Sequence, residues 1–507
     1  MTPGPVLAVS HLRKSYGGAV ALADASFELK AGETHALMGE NGAGKSTLIK
    51  ILAGAVSHDS GEIRLDGALV SFRAPDEAHR HGLRFIHQEL NTVPGLSVAE
   101  NIFLGRRYPG RFGAIHWRAL NARAGAALAT LGVEHIAPNV RLARLPVGDR
   151  MLVKIAAAFL EDDAGTSVAP ARIFVMDEPT AALTGEESER LFRIIGVLRN
   201  RGCGIIYVSH RLDEVMAITD RISVLRDGRT QATLPTNATT KAQLIELMTG
   251  REVSEFAPNA APADSGPVVL SVQGLTNTAL SDISFDLHKG EILGFAGLAG
   301  AGLDQLTRSL VSGAQSGQVL LEGQPWRRRA PAGAWARGIA SAPRERRAEG
   351  LLLAQDIASN IALPHLGWLN RWGILLDRRA ERDRAKEVRG RVRLKATSLQ
   401  QKVRQLSGGN QQKVMFARAV AGNPRILLLD EPTRGVDVGA KFDIYELLRE
   451  LAAGGAGIVV VSTDHEEILH LCTRVAIMRD GRIADVLSTQ GLDPHRLLTL
   501  CYGEPMG

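Results

Sequence analysis

The sequence predicts an α/β protein made of one plan written twice, each copy carrying a mainly parallel sheet. Three observations predict this. Five landmarks recur in the same order at a nearly constant spacing, which marks an internal duplication. Short β-branched runs alternate with stretches of helical period, the pattern of strand–helix–strand units feeding a parallel sheet. A chain of 507 residues also exceeds what a single hydrophobic core normally supports.

The landmarks justify the two copies in turn. VSHL at Val9 is answered by VQGL at Val272, and a glycine-rich turn at Gly39 by another at Gly297. LPVGD at Leu145 is answered by LSGGN at Leu406, MDEPT at Met176 by LDEPT at Leu429, and VLRDGR at Val224 by IMRDGR at Ile477. Between the copies, residues 254–267 (SEFAPNAAPADSGP) replace the apolar pattern with Pro, Ala, Gly and Ser and read as a flexible linker. The domains are therefore assigned to 1–253 and 268–507. Residues 205–208 and 458–461 read as buried strands, and 187–198 and 442–451 as helices. Between Gln88 and Leu145 the character turns helical, as at 117–131, with an Arg- and Glu-rich counterpart at 377–392. This predicts a helical subdomain inserted in each copy.

Composition narrows the class. Hydrophobic residues at 45% and charged residues at 22% exclude disordered and fibrous chains. Lys+Arg 60 against Asp+Glu 54 leaves only +6, so nucleic acid is not indicated, and the Arg clusters at 326–329 and 344–347 read as solvated faces. Cys203, Cys472 and Cys501 are scattered without metal-ligand spacing, which suits a reducing compartment. The amino terminus does not read as a secretory signal, and no apolar run reaches the roughly 18 residues of a membrane span, so a membrane role would come through a partner.

The strongest motif is GENGAGKST, formed by Gly39, Glu40, Asn41, Gly42, Ala43, Gly44, Lys45, Ser46 and Thr47, after a strand-like run and before an apolar helix. Its glycines turn backbone N–H groups toward phosphate oxygens, Lys45 reaches the terminal phosphates, and Ser46 can ligate Mg²⁺. An apolar strand at 173–176 delivers Asp177 and Glu178. Adjacent carboxylates at a strand end need a compensating cation, so Asp177 is assigned to Mg²⁺ and Glu178 to polarising the attacking water. Gln88 offers an amide to the metal or water, His210 ends a buried strand where it can sense a terminal phosphate, and Tyr16, ahead of the first sheet, can stack on adenine. LSGGNQQKVMFARAV places Ser407, Gly408, Gly409 and Asn410 at the start of an amphipathic helix, a second anion-binding helix end. One nucleotide is expected to meet both domains.

Together, GENGAGKST, the Gln88 loop, LSGGNQQK, two DEPT motifs and VSH resemble ATP-binding-cassette transporter ATPases over essentially the whole chain. Tandem cassettes, EPTAALT in the first and GLAGAG with EPTRGVDVGAKFDIY in the second, are similar to the ribose, xylose and galactoside importer ATPases. The resemblance implies two P-loop NTPase cassettes, each with a parallel-sheet core, an antiparallel β subdomain and a helical subdomain. It further implies an ATPase with ATP and Mg²⁺, integral-membrane permease subunits, indirectly an extracytoplasmic solute-binding protein, no nucleic acid, and a peripheral place on the cytoplasmic face of the inner membrane. In such relatives the cassettes close head to tail as an intrachain pseudo-dimer, ATP lying between the phosphate loop of one and the signature of the other.

Seen this way, the departures are complementary. Pro146 stands where the first signature needs Ser, Leu303 and Asp304 stand where the second loop needs Lys and Ser, and Thr463 stands where His210 is matched, while Asp430 and Glu431 survive. One hydrolytic site is implied, joining 39–47, Gln88, Asp177, Glu178 and His210 to 407–410 with Asp437 nearby, together with one degenerate site. Sugar is the implied cargo, with nucleoside, polyol or autoinducer-like solutes open. A ribosome-associated twin-cassette ATPase is the alternative class. The polar segment at 161–172 reads as a surface loop.

Overall fold

Aliphatic runs such as IFVMD, GIIYV, ILLLD and GIVVV have no polar alternation, so as strands they must be covered on both faces, the condition of a parallel sheet between helices. The computed structural model describes residues 4–86, 92–160, 169–180, 183–209, 211–250, 266–298, 300–326, 330–367, 369–371 and 375–503. The chain divides into two compact units, Met1–Val253 and Ser254–Gly507. The predicted linker lies outside the described residues except for Gly266 and Pro267.

In the first unit the parallel strands run in the order Arg221–Arg226, Thr34–Met38, Gly204–Val208, Ile173–Asp177, Leu83–Ile86, and Arg229–Pro235 pairs antiparallel on the outer side of Arg221–Arg226. An antiparallel group, Leu7–Tyr16, Ala19–Leu29, Ser60–Leu65 and Ala68–Val70, joins this sheet through the pairing of Arg229 with Asp24. The second unit repeats the plan. Its parallel strands are Arg474–Arg479, Ile292–Gly297, Gly457–Val461, Ile426–Asp430 and Ile339–Ala342, with Arg482–Ser488 antiparallel at the same edge. A separate antiparallel sheet orders Ile283–His288, Val268–Thr276, Ser316–Leu321 and Gln324–Pro325. The α/β class with parallel cores and antiparallel sheets is thus present in both copies.

The predicted helical segments follow in the chain between the strands Leu83–Ile86 and Ile173–Asp177 and between Ile339–Ala342 and Ile426–Asp430. In the first unit, Val98–Ile102, Trp117–Ala129 and Val147–Ala157 pack together, Leu120, Ala124, Ala127 and Leu128 facing inward. Their counterparts are Ile357–Ala362, Arg378–Arg391 and Gly408–Val420. A two-residue hairpin, Gly110–Arg111 with Ala114–Ile115, adds a strand pair where only helix was expected. Among the described residues no helix is long and apolar enough to cross a membrane, and all three cysteines are buried and free.

Register sets the functional edge. Val208 pairs with both Leu37 and Asp177, so the carboxyl ends of three central strands are level and release residues 39, 178 and 209 along one rim. Ligands of open α/β sheets bind outside that rim. The duplication reaches single glycines: Gly61 and Gly317 have φ of 100° and 97°, and a Cβ on either would lie 2.5 Å from the carbonyl oxygen of His11 or Gly274. Gly317→Ala should therefore destabilise the second unit by about 1–3 kcal/mol, since both the φ and the contact oppose a side chain. Denaturant unfolding measures this, and an unchanged midpoint would contradict it.

Candidate functional site

The phosphate-type loop of the first unit is shaped by backbone crowding. Gly39 leaves the buried strand Thr34–Met38 at φ 151°, and a Cβ there would fall 2.3 Å from the Leu225 carbonyl oxygen. Gly44, at φ 107°, caps the helix Lys45–Leu52, and its Cβ would meet Leu22 Cδ2 at 2.6 Å and Ala21 O at 2.8 Å. That helix has no side-chain cap and no acid in its first turn, so its partial positive charge, about half an elementary charge, faces the loop. Lys45 is 8% exposed and donates from Nζ to Gly39 O at 2.6 Å and Glu40 O at 3.0 Å. The ammonium thus lies over the loop it would use to meet a phosphate.

Asp177 closes its strand and Glu178 follows at φ 46°, with its N–H donated to Val208 O at 2.8 Å. Glu431 repeats this at φ 49°, donating to Val461 O at 2.8 Å. The strained turn is therefore a property of the repeat. Behind the first rim, buried Glu214 accepts from Thr180 Oγ1 at 2.6 Å and Tyr207 OH at 3.0 Å and pairs with Arg211, while Ser209 Oγ accepts from Arg211 N at 3.0 Å. These bonds hold both flanks of position 210. His210 and Gln88 themselves lie outside the described residues, as do 161–168 of the predicted surface loop. Tyr16 is not ahead of the sheet: it ends the strand Leu7–Tyr16, 45% exposed, with Lys14 Nζ 5.6 Å from its ring centre. Its place in the ladder follows from the pairing of Tyr16 with Ala19 across a tight turn.

The second unit keeps the backbone and changes the chemistry. A Cβ on Gly297 would lie 2.6 Å from Met478 O, and one on Gly302 would lie 2.9 Å from both Leu280 Cδ2 and Ala279 O, the same two approaches as at Gly39 and Gly44. Leu303, in the lysine's place, is 7% exposed and belongs to the hydrophobic core, where burying it contributes about 1.5–3 kcal/mol. Asp304 puts an acid in the helix's first turn. Thr463 donates both its N–H, at 2.9 Å, and its Oγ1, at 2.7 Å, to the same Glu431 oxygen. The carboxylate matching Glu178 is thereby tied down by the residue matching His210.

Signature segments differ in the opposite sense. Ser407, exposed, caps Gly408–Val420 and accepts from Asn410 N at 3.4 Å and Nδ2 at 3.0 Å. This helix is buried on nearly all faces rather than amphipathic. Its polar residues are accommodated by partners: Gln411 donates to Leu406 O at 3.1 Å, Gln412 to Pro432 O at 2.6 Å, and Lys413 pairs with Asp443 at 2.5 Å. In the first unit Pro146 caps Val147–Ala157 with no side-chain bond, and Gly148 N donates to Glu187 Oε1 at 3.0 Å.

The Arg344–Arg347 cluster is not simply a solvated face. Arg346 donates to Arg434 O at 2.7 Å and Gly435 O at 3.3 Å, and Arg347 to Gln411 Oε1 at 3.4 Å, tying this segment to the signature helix and to the loop before Asp437. Burial holds the Arg346 guanidinium below its ordinary range. Sequence reading missed Arg346 and Glu187, although Thr184-x-x-Glu187 is a legible capping box.

A family model described as ABC transporter matches residues 22–181 and again 280–434. The ribose import ATP-binding protein RbsA 2 of Rubrobacter xylanophilus is 42% identical over 503 residues, 98% of this chain and 95% of that protein. The putative ribose/galactose/methyl galactoside import ATP-binding protein 1 of Burkholderia lata is 41% identical over 507 residues, 99% of this chain and 97% of that protein. Among solved structures, an archaeal ribosome recycling factor, aABCE1, in complex with the ribosomal stalk protein aP1 matches with a TM-score of 0.58. It is 18% identical, over 97% of this chain and 92% of its own, a likeness of fold alone.

Two buried acids of the second unit carry a pH signature. Burial, with the charges of Glu431 and Asp304, pushes Asp430 up to about 6, and burial pushes Glu467 up to about 7. An acid whose folded pKa exceeds its unfolded one binds its proton more tightly when folded, so its contribution falls as pH rises between the two values. The unfolding free energy of the second unit should decline from the ordinary carboxylate range to about pH 7, and Glu467→Gln should flatten the slope. Denaturant unfolding at pH 5 and 8 measures it, and an equal slope in that variant would count against the assignment.

Proposed function

The chain belongs to the ABC transporter family, and from that membership we propose that it is the ATP-hydrolysing subunit of a sugar importer, turning over nucleotide at one composite site. The observation that carries the reading is the complementary loss. The first unit keeps the Lys45 loop, and its own signature amide is taken by Glu187; the second keeps an exposed Ser407 cap, and its own loop leads into Leu303, which packs in the core, and Asp304, an acid in the helix's first turn. Residues 1–253 form the first cassette, 254–267 the linker and 268–507 the second cassette in this proposal.

ATP is bound by the loop 39–47, with Tyr16 against adenine, and by Ser407, Gly408, Gly409 and Asn410 from the other cassette. Lys45 neutralises the terminal phosphates. Ser46, Asp177 and Gln88 offer a hydroxyl, a carboxylate and an amide, oxygen donors suited to Mg²⁺, which when bound would offset charge on the phosphates. Glu178 orients and polarises the water, and His210 contacts the departing phosphate. Binding favours the closed pair because only there does the nucleotide meet both sets of groups, and hydrolysis removes that bridge.

The relatives bear the names of import ATP-binding proteins for ribose and for ribose, galactose or methyl galactoside, which supports a sugar as cargo, permease subunits in the inner membrane, a solute-binding protein outside, and this chain on the cytoplasmic face. Co-purification with the permease, followed by thermal shift of the solute-binding protein against ribose, galactose, nucleosides and polyols, identifies the solute.

Glu178→Gln should lower steady-state hydrolysis by about 10²-fold or more while ATP stays bound. Glu431→Gln should leave most of the rate, since that carboxylate already serves Thr463. Equal losses in the two variants would refute a single hydrolytic site. Ser407→Arg should abolish hydrolysis despite an untouched Lys45 loop.

A further inference from the structure

The two signature helices begin in the same setting, with opposite occupants. In each unit the helix end packs against the start of the helix that follows the DEPT motif, Gly185–Asn200 in the first and Val438–Ala453 in the second. Thr184 and Asp437 cap those helices, and three residues on come Glu187 and Ala440. A Cβ on Gly148 would lie 2.7 Å from the Glu187 carboxyl group, and a Cβ on Gly409 would lie 3.0 Å from the Ala440 methyl. Residues 187 and 440 thus stand at equivalent places against equivalent glycines.

What they present there differs. Glu187 Oε1 accepts from Gly148 N–H at 3.0 Å and Oε2 from Thr184 N–H at 2.9 Å, so both carboxyl oxygens are bound. Those N–H groups hold the carboxyl below its ordinary range. A carboxylate at a helix amino terminus, bonded to a backbone N–H, makes the interaction that a phosphate oxygen would make. Ala440 offers no charge, and Asp437 Oδ1 accepts from its own helix at Ala440 N, 2.8 Å.

We infer that Glu187 is a built-in anion that occupies the phosphate-binding end of the first unit's signature helix and keeps nucleotide out of it. The inference deepens the one-site reading above and rests on it. Loss of Ser at position 146 removes one donor; Glu187 withdraws a second and places a negative charge where the phosphate would come. The degenerate site is thereby closed by an added group as well as by missing ones.

The test restores the missing groups and varies the plug. Pro146→Ser with Leu303→Lys and Asp304→Ser returns a hydroxyl, a cation and a metal ligand to the degenerate site. Titration of this chain with AMP-PNP and Mg²⁺ should show one equivalent bound, and adding Glu187→Ala should raise it to two. Glu187→Gln, which removes the charge and keeps one oxygen to accept from a backbone N–H, should also admit a second equivalent. Two equivalents with Glu187 in place, or one equivalent in every variant, overturns the inference. Ser407→Arg separates the two levels. Hydrolysis that survives it removes the shared-nucleotide reading, whereas failure of the Glu187 series in a protein that Ser407→Arg inactivates removes this inference alone.

Discussion

The turn from the strand Thr34–Met38 into the helix Lys45–Leu52 is the constraint on which the rest depends. Backbone presses on backbone there, the Leu225 carbonyl lying where a Cβ of residue 39 would go. Only glycine lets the helix start so close to the strand end, and only that closeness brings an uncapped helix terminus, Lys45 and the level ends of the neighbouring strands to one rim. Met478 exerts the same pressure on Gly297, which explains why the second unit has the same turn although its side chains no longer suit phosphate.

Duplication followed by divergence has left the backbone as a common frame and the chemistry as a variable. Leucine replaces a cation and joins the core, an acid enters a helix's first turn, and a threonine ties up a glutamate. None of these disturbs the fold, because each uses a position that the frame leaves as a choice between binding a ligand and packing or pairing internally. The strained φ of Glu178 and Glu431 is common to both units, and in the second unit Thr463 binds the Glu431 carboxylate.

Legibility from sequence followed the range of the interaction. The loop 39–47, the strand ends at Asp177 and Asp430, and the cap at Ser407 are local patterns, and the structure has the expected strands and helix starts at them. The signature helix was misread as amphipathic because Gln411, Gln412 and Lys413 look solvated in sequence; their partners, Leu406, Pro432 and Asp443, include residues up to thirty positions away. Arg346 looked like surface charge for the same reason, its acceptors being the Arg434 and Gly435 carbonyls.

By itself the sequence determined the repeated α/β plan, the phosphate-type loop and which copy lost which groups, since each depends on residues adjacent in the chain or on periodicity. Tertiary structure alone decided that Leu303 is absorbed into a core, that Thr463 holds Glu431, and that Glu187 reaches Gly148 across 39 positions. Those contacts arise only when separate strands and helices have been brought to one rim, and no spacing rule along the chain encodes where a side chain on one element ends against the backbone of another.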